Sequence, residues 1–101
     1  MRYYLQRVIR SFANDETERV FRRLACKRFS VDLQRIAYRK LLLLDAAESI
    51  SDLRIPPGNR LEKLKANRHG QYSVRINSQW RICFIWKDGD AYEVEITDYH
   101  S

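Results

Sequence analysis

Residues 72–96, YSVRINSQWRICFIWKDGDAYEVEI, decide the fold. Tyr72, Val74 and Ile76 alternate with Ser73, Arg75 and Asn77, the period-two pattern of a strand with one face in a core. Asn77-Ser78-Gln79 leads into Trp80-Arg81-Ile82-Cys83-Phe84-Ile85-Trp86, apolar on both faces, which predicts a central strand covered by helices. Asp88-Gly89 suits a two-residue hairpin, whose turn positions need positive φ. Tyr92-Glu93-Val94-Glu95-Ile96 then returns with an alternation that assigns Tyr92, Val94 and Ile96 to the core and carries Asp98 and His100 along the same side. An antiparallel meander is expected.

Upstream, Ile55-Pro56-Pro57-Gly58-Asn59 forbids helix and marks a rigid loop. Before it, Ser30 can cap a helix near 31–47 in which Leu33, Ile36, Ala37, Leu41 and Leu44 recur at helical spacing. Its other face carries Arg35, Arg39 and Lys40, read by default as a solvated surface, with a cationic docking face as the alternative. Asn14 caps an earlier helix, with Asp15 and Glu16 in its first turn and Val20, Phe21, Leu24 and Ala25 as its apolar stripe. Val8-Ile9-Arg10-Ser11-Phe12 reads as a short strand. The order β-α-α-β-β-β defines an α+β fold, a small antiparallel-dominated sheet packed against two N-terminal helices. A chain of 101 residues with 45% hydrophobic content supports one such domain.

The formal net charge of +6 suits a polyanionic partner. Between Arg60 and Arg81 six cations face the single acid Glu62, whereas from Lys87 onward one cation faces five acids. Cys26 and Cys83 stand far apart without zinc-like spacing, and with only His69 and His100 as histidines neither a metal nor another cofactor is expected. No apolar run is long enough to span a bilayer and no secretory signal is present, so a cytoplasmic protein without membrane contact is expected.

Cutting RNA without metal requires a 2′-hydroxyl to lose its proton, the phosphorane to be stabilised by cations, and the leaving oxygen to be protonated. Asp98, Tyr99 and His100 supply an acid, an aromatic platform and a group titrating near neutrality, and Lys65 and Arg81 supply cations. His69 is read as a solvated turn residue. Trp80, Phe84 and Trp86 share a strand face and are read as core.

Several segments in order resemble the HigB branch of the RelE toxin superfamily. They are Leu44-Asp45-Ala46-Ala47, Pro56-Pro57-Gly58-Asn59-Arg60-Leu61-Glu62, Gln79-Trp80-Arg81-Ile82-Cys83-Phe84 and the terminal Asp98-Tyr99-His100. The resemblance implies a RelE-like fold and a metal-independent endoribonuclease that cuts mRNA on the ribosome by 2′-hydroxyl attack. It implies His100, Asp98, Tyr99, Lys65 and Arg81 as the catalytic set, with Arg60, Lys63, Arg68 and Arg75 contacting mRNA or ribosomal RNA. It also implies a HigA-like helix-turn-helix antitoxin, through which alone operator DNA would be bound. Glu62 departs from the pattern, since some HigB members carry histidine there, and this weakens a two-histidine acid/base scheme. Two other readings remain open: a toxin of the same fold acting on DNA gyrase, and a non-catalytic module that binds nucleic acid or antitoxin.

The toxin domain is expected at 8–101, and residues 1–7 as an extension translated from an upstream codon, with Val8 the native start. Intact-mass measurement of the natively expressed protein should then lack those seven residues; a mass that includes them contradicts the expectation.

Overall fold

The computed structural model describes residues 7–68 and 70–98. Asn14 accepts from the Thr17 amide at 2.9 Å and starts α1 (Asp15–Phe21), whose early carboxylates suit the positive end of the helix dipole. The helix ends after two turns, partway along the predicted stripe. Arg23 adopts φ +61°, its amide bonds to Val20 O at 3.1 Å, and the Leu24 amide reaches back to Arg19 O at 2.8 Å. That pair of bonds is a Schellman ending, usually built on glycine. Leu24 and Ala25 are therefore exposed rather than core, correcting the sequence reading.

Ser30 caps α2 (Val31–Asp45) by accepting from the Leu33 amide at 3.1 Å, as expected. Leu33, Ala37, Leu41 and Leu44 are buried along one stripe. Lys40 does not join Arg35 and Arg39 on a solvated face. Its ammonium donates to the Oδ1 of buried Asn59, whose amide nitrogen donates to Leu53 O at 3.1 Å and Ile55 O at 3.3 Å, tying α2 to the proline loop. Partial burial lowers the pKa of Lys40.

Four antiparallel strands follow in the order β1 (Glu62–Lys63), β2 (Gln71–Arg75), β3 (Trp80–Lys87) and β4 (Asp90–Asp98). Asp88 (φ +53°) and Gly89 (φ +81°) make the tight turn between β3 and β4. Val74, Ile82, Phe84, Ala91, Val94 and Ile96 pack on one face against both helices. The register places Tyr92 opposite Ile85 but Glu95 opposite Cys83, so β4 carries one extra residue. That residue is Glu93, at φ +52°. The bulge slips the alternation by one: Ala91, not Tyr92, shares the core face with Val94 and Ile96.

The same bulge explains the N-terminal segment. Residues 8–13 run parallel to β4, with bridges Ile9 to Ala91 and Phe12 to Val94, instead of forming the continuous strand expected from Val8 to Phe12. Between the bridges, the Glu93 amide donates to Ser11 Oγ at 2.9 Å, and that hydroxyl donates to the Glu93 carboxylate at 3.0 Å. Asp45 anchors the segment by accepting from the Val8 and Ile9 amides, each at 3.0 Å. Further along β4, α1 closes the edge: the Ile96 amide donates to the fully buried Thr17 Oγ1 at 2.9 Å.

Replacing Thr17 with valine keeps the shape and strands that buried amide. Urea unfolding should show about 1–3 kcal/mol of lost stability; an unchanged midpoint would mean that Thr17 does not close the edge.

Candidate active site

β3 is central, as predicted, yet helices cover only one of its faces. Alternation sends Arg81, Cys83 and Ile85 to the outer face, where the paired positions are Arg75 and Ser73 of β2 and Thr97, Glu95 and Tyr92 of β4. Cys83 is wholly buried and Arg81 is only 8% exposed. Polar side chains provide that cover.

A guanidinium this deep requires acceptors, and the surrounding elements supply them. Arg81 Nε donates to Ser73 Oγ at 2.7 Å, and one terminal nitrogen donates to Arg60 O at 2.6 Å. The Arg60 carbonyl is turned inward at the end of the 3₁₀ turn Pro57–Asn59, where Arg60 adopts φ +45°. Glu62, opposite Ser73 on β1, brings its carboxylate to 3.6 Å from the same group. Across the sheet Arg68, at the end of the turn Ala66–Arg68, meets Glu95 at 3.5 Å and donates to Gln71 at 3.1 Å. The acidic final strand therefore shares this face with the basic segment, and the two partly neutralise each other.

Cys83 lies among these charges. Burial pushes its thiol pKa up, Arg68 pulls it down, and Glu95, Arg81 and Glu62 act in alternating sense. Both cysteines are buried and free.

Of the residues singled out in the sequence, Arg81, Arg75 and Arg68 come together on the outer face, with the Arg60 carbonyl beneath Arg81. Arg75 stands directly opposite Arg81, a like-charge cross-strand pair. Lys65 is exposed in the loop after β1. Lys63 pairs with Tyr72, so it belongs to the opposite pleat from Glu62. Asp98 pairs with Trp80, one residue out of phase with Arg81 and Thr97, and accepts from Gln79 Nε2 at 3.0 Å. Tyr99, His100 and His69 lie outside the described residues. Ser73 and Glu95 were missed: strand alternation marks them as solvent-facing, and nothing in a linear reading reveals that buried Arg81 needs one of them.

With its thiol pKa raised, Cys83 should stay protonated and resist iodoacetamide in the folded chain at a pH where unfolded chain reacts. Above the ordinary thiol range the unfolded chain releases its proton first, so this group makes stability fall as pH rises. Equal alkylation rates in folded and urea-unfolded chain would contradict that placement.

Comparisons with known proteins agree with this architecture. The chain is 52% identical over 59 residues to "Toxin HigB-1" of Vibrio cholerae serotype O1, an alignment spanning 58% of this chain and 62% of that one. It is 38% identical over 73 residues to "Endoribonuclease HigB" of Proteus vulgaris, spanning 68% of this chain and 73% of the relative. Residues 10–100 match the HigB-like toxin family, described as the RelE-like toxin of the type II toxin-antitoxin system HigB. Nearly the whole described fold falls within that match, and the chain belongs to the HigB-like toxin family.

Proposed function

We propose that this toxin is a ribosome-dependent endoribonuclease that cleaves mRNA by 2′-hydroxyl attack, without a metal, and so inhibits translation in the cytoplasm. The observation that carries the proposal is Arg81, held at the bottom of the outer sheet face by Ser73 and the Arg60 carbonyl and set opposite Arg75. Like charges directly opposite on neighbouring strands repel, and an anion beside Arg75 and Arg81 relieves that repulsion. A scissile phosphate satisfies both. A cation already fixed by its neighbours needs no reorganisation as charge develops on the phosphate. The activity named for the Proteus relative supports the same reading.

In this proposal Arg81 and Lys65 stabilise the phosphorane, His100 transfers protons, Asp98 favours the protonated imidazole, and Tyr99 orients a base. Arg60, Lys63, Arg68 and Arg75 engage mRNA or ribosomal RNA. The toxin domain is residues 8–101, with 1–7 an extension. A HigA-like helix-turn-helix antitoxin holds the toxin inactive and alone contacts operator DNA.

Primer extension on a translated mRNA tests the proposal. Wild type should cut only when ribosomes are present, and His100→Ala should lose roughly 10²–10⁴-fold in rate. Arg75→Ala should weaken cleavage without lowering the unfolding midpoint. Undiminished cleavage by His100→Ala would overturn the assignment, and wild-type inhibition of gyrase supercoiling without RNA cuts would replace the ribonuclease reading.

A further inference from the structure

The sheet's outer face leaves one charged surface unused. On the opposite side of the molecule, α1 and α2 enclose a groove of about 520 Å³ floored by Val20, Leu24, Val31 and Tyr38 and rimmed by Arg23, Arg35 and Arg39. A second groove of about 530 Å³ shares Tyr38 and continues past Leu42. Val31, Tyr38 and Leu42 recur at i, i+7 and i+11, so they form one stripe of α2, about 16 Å long at the helical rise. Val31 is 80% exposed, Leu24 48% and Leu42 44%. The Schellman ending of α1 is what leaves Leu24 here. It also sets the Arg23 guanidinium 4.6 Å from the centroid of the Tyr38 ring.

We infer that this groove is where the antitoxin docks, through an acidic amphipathic helix. Family membership implies the antitoxin, so the inference does not rest on the ribonuclease reading. Apolar side chains spread over three turns of α2, with Gln34 between Val31 and Tyr38, fit the apolar face of a third helix. Nucleic acid gains little from Val31, Leu24 and Leu42, whereas a protein buries them. A second copy of this chain would set arginine against arginine. Carboxylates on the partner's flanks complement the rim: Arg39 has no ion pair among the described residues, and Arg35 holds only exposed Asp32, at 2.9 Å, a weak partner in solvent.

Titration calorimetry of the full chain with its cognate antitoxin tests this, using Val31→Asp and Arg39→Glu. Both positions are exposed, and an acidic residue in the first turn of α2 suits the helix dipole, so neither variant should disturb folding. Each should weaken antitoxin binding by roughly 10-fold or more, with mRNA cleavage unchanged. Unchanged antitoxin affinity in both variants would overturn the inference. So would variants that lose ribosome binding but keep the antitoxin, which would make the groove an RNA surface, or a wild-type dimer that Val31→Asp alone dissolves. Absence of cleavage by the wild type would defeat the ribonuclease reading and leave the calorimetric result standing.

Discussion

A charged side chain buried in a sheet must find acceptors, and the outer face of this molecule is arranged around that need at Arg81. Ser73 on the neighbouring strand, the Arg60 carbonyl turned inward by a left-handed residue, and the Glu62 carboxylate on the edge strand all converge on one guanidinium. Removing an acceptor leaves a buried donor unpaired, which costs more than an ordinary surface hydrogen bond contributes. The loop from Pro57 to Asn59 and the two-residue strand β1 are thereby tied to the centre of the sheet. Their partner Arg68–Glu95 closes the other side of the same face, and Cys83 is buried between the two ion pairs.

This arrangement divides the molecule by face. The helix side is built from apolar burial, with Phe84, Leu41 and Leu44 at its centre. The outer side is built from polar satisfaction and sets two cations, Arg75 and Arg81, directly opposite each other on neighbouring strands. In the proposed function a phosphate is the anion that this pairing receives. The helix layer keeps its own unfilled groove. The two surfaces can therefore take different partners without competing for the same residues.

Much of this was legible in the sequence. The caps Asn14 and Ser30, the stripe of α2, the Asp88-Gly89 turn and the three long strands all follow from local rules that agree with one another. Three of the departures, in α1, at Tyr92 and in the N-terminal segment, share one physical cause. Arg23 ends α1, Arg60 turns its carbonyl inward and Glu93 makes the bulge, all with positive φ and none of them glycine. Linear reading finds left-handed positions through glycine or asparagine, so it ran α1 too far, put Tyr92 on the wrong face and drew a continuous strand from Val8 to Phe12. The site was legible in the same uneven way. Resemblance supplied Arg81 and Lys65, but the burial of Ser73 depends on a cross-strand partner eight residues away, which only the register reveals.

The central claim is that RNA meets the face organised around Arg81. An mRNA carrying 4-thiouridine at the cut codon, photo-crosslinked to the chain on a programmed ribosome and mapped by mass spectrometry, tests it most directly. Crosslinks within residues 60–81 are the predicted result. Crosslinks confined to α1 and α2, with the sheet face untouched, would contradict it.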